Sequence, residues 1–166
     1  MGRSVLATLL VVGLLAALPY AAPPLYLLSF LTVVFMYIAL AESWTILGGY
    51  AGYVSFGHVA FFGVGAYTSA LLLLHLGLSP LLTFPVGGLV AAAFATLVGY
   101  PIVRLHGPYF SIVTLLIALL TALVVKNTPV LGGTTGLWLP LPDLPIEVNR
   151  VIFYWFMLLL AVVATA

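Results

Sequence analysis

Long apolar stretches interrupted by single charges set the pattern of this chain. No Lys, Arg, Asp or Glu falls within residues 4–41, 43–103, 105–125 or 151–166. A helix that crosses about 30 Å of hydrocarbon needs about 20 apolar residues, so these runs hold about six passes once turns divide them. Breaking residues stand near the required places: Pro19, Pro23 and Pro24, the Gly48 to Gly57 cluster, Gly77 with Pro80, and Gly107 with Pro108. The predicted helices are Val5–Leu18, Leu25–Leu47, Val59–Leu76, Leu81–Leu105, Tyr109–Val125 and Ile152–Ala166. Helix rather than strand is expected because a spanning segment must satisfy its own backbone, and these runs lack the alternation of a barrel strand. The fold class is therefore an all-α polytopic bundle, a single transmembrane domain over 1–166.

Residues 126–150 read differently. They carry Asp143, Glu147, Pro129, Pro140, Pro142, Pro145 and the Gly132 to Gly136 turn, and are expected to form an extramembrane loop with an interfacial piece around Trp138. The first segment also fits a cleavable signal peptide, with Arg3, the apolar Val5–Leu18 and the small Ala21 and Ala22. An uncleaved span is preferred because further spans follow at once. Orientation is a tie by positive charge: with Arg3 inside, Arg104 is inside while Lys126 and Arg150 are outside.

Composition removes whole classes of function. The chain is 65% hydrophobic and 4% charged, too few charges to keep a globule in water, so lipid is the solvent. A net charge of +1 offers no basic stripe for nucleic acid, and the absence of cysteine removes thiolate metal sites and thiol nucleophiles. No HExxH, EF-hand or GxxxxGK[ST] pattern occurs, so no metal or cofactor is expected and any nucleotide must be hydrolysed by another chain.

The densest signal lies between the second and third helices, where Gly48, Gly49, Gly52, Gly57, Gly63 and Gly65 crowd an apolar stretch. Each glycine costs a helix interior about 1 kcal/mol relative to Ala, so the cluster needs a geometric reason. One reason is close helix contact, for which Gly48 with Gly52, Gly65 with Ser69, and Ala66 with Ala70 have the four-residue spacing. The other is a broken or re-entrant helix at Gly48–Gly57, its freed backbone and Ser55 lining an enclosed cavity. Ser55 and His58 lie three apart and suggest an intramembrane hydrolase, but the GxSxG elbow is missing; a helix cap and an interfacial anchor are their plainer roles. Glu42 is the one carboxylate set in apolar sequence, either a functional acid, such as an acceptor for an ammonium group, or a polar end to the second helix. Arg104, His75 and His106 are expected at the interface.

Three motifs in order carry a resemblance: GYAGYVSFGHVAFFGVGAYTSALL (49–72), RLHGPYFSIVTL (104–115) and GGTTGL (132–137). Together they resemble the permease of branched-chain amino acid ABC transporters, of the LivM type rather than the LivH type, continuously from about Tyr37 to Leu137. The resemblance implies a subunit that pairs with a LivH-type permease, receives cargo from a periplasmic binding protein and is driven by two cytoplasmic ATPase subunits, in a bacterial or archaeal plasma membrane. Family members are considerably longer, so the chain is expected to be an N-terminal fragment or a truncated product, with the ATPase-docking loop beyond Ala166. On this reading Gly52, Ser55, Gly57 and His58 supply broken-helix backbone and a hydroxyl. Tyr109, Ser111 and Thr114 add polar groups, and Phe61, Phe62 and Phe110 form apolar walls, with Glu42 as the acceptor. The cargo is a branched-chain or related amino acid; urea, amide or sugar permeases of the same superfamily, an intramembrane hydrolase and a noncatalytic assembly protein are the alternatives.

Overall fold

A computed structural model describes residues 2–21, 24–105, 107–139 and 145–165. His106, Asp143 and the prolines at 140 and 142 lie outside them. The described residues form six α-helices and no strand: α1 (Gly2–Ala17), α2 (Leu25–Thr45), α3 (His58–Leu76), α4 (Pro80–Ile102), α5 (Pro108–Asn127) and α6 (Ile146–Thr165). Five helices, from α2 to α6, are long and apolar enough to span a membrane; α1, at 16 residues, is shorter. The first expected span is thus present as a helix but below spanning length.

The ends of the helices follow local chemistry. Gly77 stops α3 in the left-handed region at φ 61°, its amide bonding the Leu73 carbonyl at 3.1 Å. Proline opens α4 and α5 at Pro80 and Pro108, where a missing amide costs nothing, and Gly107 takes φ 64° just before the second. Helix α6 begins six residues before the apolar run that predicted it, and so brings Glu147, Asn149 and Arg150 into the helix.

The chain divides into two compact units, residues 1–45 with 142–166, and residues 46–141. In the first, α2 and α6 lie side by side over a core of Leu28, Phe35, Tyr154, Leu158 and Ala161. Tyr154 is fully buried, its ring edge-on to Phe35 at 5.4 Å and its hydroxyl donating to the Leu15 carbonyl at 2.7 Å. Arg150 donates to the Leu25 carbonyl at 2.9 Å and to Ser29 Oγ at 2.8 Å, which puts the first turns of α2 and α6 at the same end. The two helices therefore run parallel, as a chain that crosses lipid once with each helix from α2 to α6 requires.

In the second unit α3 and α4 form a hairpin joined by residues 77–79, and α5 lies along α3. The hairpin closes on backbone. A Cβ added to Gly65 would stand 3.3 Å from the Gly87 carbonyl oxygen, and one added to Gly87 would meet Ser69 Oγ and stand 2.6 Å from the Gly65 carbonyl oxygen. Ser69 Oγ, bonded to its own helix at the Gly65 carbonyl, also reaches the Thr83 carbonyl across the contact, 3.0 Å in each case. Small residues let two helices touch where lipid offers no hydrophobic drive to associate.

Candidate functional site

The glycine-dense run splits into two parts with different work. Its second half, Gly63 and Gly65, is helical within α3, and Gly65 makes the α4 contact. Its first half breaks the helix: α2 passes into a π turn over Ile46–Tyr50, residues 51–57 are non-helical, and α3 starts at His58. The expected break at Gly48–Gly57 is therefore present. Gly52 sits at its centre with φ 72°, a conformation that only glycine adopts without strain.

Freed backbone groups must find partners, and here the first turns of α5 supply them. Ser111 Oγ donates to the Val54 carbonyl at 2.7 Å, and the Phe56 amide donates to Thr114 Oγ1 at 3.2 Å. Thr114 Oγ1 in turn donates to the Ser111 carbonyl at 2.9 Å, and the Gly57 amide donates to Ser55 Oγ at 3.2 Å. Phe110 is buried with its ring 4.7 Å from that of Tyr53, whose hydroxyl reaches the Val103 carbonyl at 3.4 Å. Gly57 is where the strap lies closest: a Cβ there would stand 3.3 Å from both the Thr114 Cβ and the Thr114 carbonyl oxygen.

The structure thus brings Ser55, Gly57, Phe110, Ser111 and Thr114 together, with Gly52 in the same segment. It gives Ser111 and Thr114 a definite task, holding the break to α5, and their hydroxyls are engaged in that task. Ser55 accepts the amide just ahead of α3 without serving as the formal cap, which is Gly57. His58, the first residue of α3, encloses its Nδ1 without a hydrogen-bond partner among the described residues.

Other expected members stand elsewhere. Phe61 packs on α4, its ring 6.0 Å from Phe94, so it stiffens the hairpin. Tyr109 is 69% exposed and Phe62 also faces outward. Glu42 is half-buried on α2, in the first unit. Arg104, past the end of α4, lays its guanidinium over the Tyr100 ring at 5.1 Å and donates to the Tyr100 hydroxyl at 3.2 Å. No group of three or more metal-ligating side chains occurs among the described residues.

The sequence reading missed a larger space. A cavity of about 1060 Å³ lies between α3 and α5 and reaches Phe94 and Val98 of α4, with the 131–136 turn and Lys126 on its wall. Its signal was the small-residue stripe Ala60, Gly63 on α3 facing Ala118, Ala122 on α5, spacings that leave a furrow wherever no neighbour fills it.

Comparison with known proteins places these motifs. The family model described as "Branched-chain amino acid transport system / permease component" matches residues 26–166. The high-affinity branched-chain amino acid transport system permease protein LivM of Escherichia coli strain K12 is 37% identical over 115 residues, covering 68% of this chain and 27% of that protein. LivM of Salmonella typhimurium strain LT2 aligns with the same identity and coverage. The match thus spans about a quarter, 27%, of the length of these curated relatives. No solved structure matches the chain.

Proposed function

The chain belongs to the permease component family of branched-chain amino acid transport systems, and from that premise we propose that it is part of the membrane-spanning subunit of an ABC importer for branched-chain or related amino acids. The cargo arrives from a periplasmic binding protein, a second permease of the LivH type completes the passage, and cytoplasmic ATPase subunits supply the energy. The membrane is the plasma membrane of a bacterium or archaeon. Chemistry in this chain is confined to guiding a solute, with ATP hydrolysis on partner chains.

One observation carries the reading: non-helical backbone between two helices of spanning character, tied to α5 by Ser111 and Thr114. On this proposal the segment lies against the solute path, where irregular backbone persists because protein encloses it or because it lines a watery space. An amino acid presents a carboxylate, an ammonium group and an apolar side chain, so a path for it needs amide donors, carbonyl acceptors and apolar walls. Within residues 51–57 the backbone not already bonded to α5 would supply the first two, with Tyr53, Phe56 and Phe110 for the third.

The test is uptake of labelled leucine by cells making the full-length protein with its binding protein and ATPases. Gly52→Leu, at φ 72°, and Gly57→Leu, against Thr114, are expected to abolish uptake while the protein still inserts. Uptake at the unaltered rate from both variants removes the proposal.

A further inference from the structure

The GGTTG turn is the one motif of the three with no part in the break. It follows α5 through a short 3-10 turn, Pro129–Leu131, and folds back on the helix end: a Cβ added to Gly133 would stand 3.4 Å from the Lys126 carbonyl oxygen. Gly132, Gly133 and Gly136 all have positive φ, at 80°, 54° and 75°, and the Gly136 carbonyl oxygen closes over Gly132 where any Cβ would collide. Among the described residues the amides of Gly133, Thr134 and Gly136 donate to no protein acceptor. Successive free amides in a tight turn form a concavity that favours an anion. Two residues past Gly136, Trp138 is 87% exposed, the placement of an aromatic at the membrane–water boundary.

This turn and Lys126 close one end of the furrow. Along α5 the wall runs from Ile117 to Lys126, and along α3 from Val59 to Leu71. Those twelve steps at about 1.5 Å per residue give a furrow about 18 Å long. Among the described residues, Lys126 is the only charged one on its wall. A lysine in the last turn of a helix also complements the helix dipole, which explains the residue but not the free amides or the apolar length beside it. The four-carbon side chain of a branched amino acid would occupy a small part of such a space.

We infer that the α3–α5 furrow is a binding site for an anionic phospholipid, one acyl chain lying along Ala60, Gly63, Ala118 and Ala122 and the phosphate facing Lys126 and the free amides of Gly133, Thr134 and Gly136. Basic residues between membrane helices near the interface are suited to such headgroups, each worth about 1 kcal/mol beside anionic lipid.

The experiment uses the full-length protein in phosphatidylcholine vesicles doped with phosphatidylglycerol that carries a photoreactive diazirine on its acyl chain, with a diazirine phosphatidylcholine as control. Mass spectrometry then maps the adducts. Adducts are expected on α3 and α5 within 59–71 and 117–126, favouring the anionic probe. Lys126→Gln is expected to lower its yield about fivefold, the loss of one lysine beside an anionic headgroup, and to leave the control unchanged. Ala118→Phe, which fills the furrow, is expected to remove both adducts without lowering the melting temperature. Absence of adducts on these stretches, because another protein segment fills the furrow, overturns the inference. So does equal labelling by both probes, an unchanged yield from Lys126→Gln, or displacement of the probe by leucine.

Discussion

The two helix pairs of this chain meet the same difficulty by opposite means. Helices α3 and α4 close on glycine, backbone against backbone at Gly65 and Gly87, with one serine bridging to Thr83. Helices α2 and α6 close on bulk: Phe35, Tyr154 and Leu158 interdigitate, and two polar side chains, Arg150 and Tyr154, bond to carbonyls of neighbouring helices. In lipid neither pair gains from escaping water, so each relies on packing and on hydrogen bonds shielded from competition. The lesson is that contact through small residues tolerates no added atom, whereas contact through large residues tolerates no removed one.

That contrast can be broken in stages. Tyr154→Ala is expected to give the largest effect, about 3–5 kcal/mol for emptying a fully enclosed aromatic site, read by unfolding in mixed micelles. An engineered cysteine pair across α3 and α4 should still crosslink in that variant, and loss of the crosslink would show that the pairs are not independent. Gly87→Val should cost about 1–3 kcal/mol through overpacking and abolish the same crosslink; a retained crosslink would mean that the backbones do not touch. Thr114→Val removes the acceptor for the Phe56 amide and is expected to cost about 0.5–1.5 kcal/mol but to reduce leucine uptake in the full-length protein out of proportion to the lost stability. Equal losses would make Thr114 a packing residue only. The smallest change belongs to Ser69→Ala, about 0.6 kcal/mol, the mean for a hydrogen bond between membrane helices. A larger loss, by the same micelle assay, would move weight from glycine contact to the serine bridge.

Hydropathy made most of the helices legible. Leu25 and Leu76 are ends of both expected and observed helices, and Pro80 and Pro108 mark starts to within one residue. It failed at α6, where polar Glu147, Asn149 and Arg150 looked like loop; Arg150 is helical because the Leu25 carbonyl and Ser29 receive its guanidinium, a partnership 125 and 121 residues away in sequence. The break was legible from its glycines. What ties it down was not, because nothing in the sequence places Ser111 against Val54 or Thr114 against Phe56, 57 and 58 residues away. Phe61 looked like a wall of the break for the same reason, yet the helical face it occupies points to Phe94. The furrow escaped notice because small residues signal close approach, and the sequence does not say where no neighbour approaches.

The clamp from Arg150 to α2 bears on how the chain is made. The α3–α4 hairpin has both halves within about 45 residues and can shut almost as soon as it leaves the ribosome. Helix α2 must wait for a partner emerging 125 residues later, on the order of ten seconds at about 5–20 residues per second. During that interval Leu28 and Phe35 lack Tyr154, Leu158 and Ala161, the α6 side of their core. A slow codon run or a stalled translocon after residue 127 would therefore strand α2 half-assembled while leaving the hairpin whole.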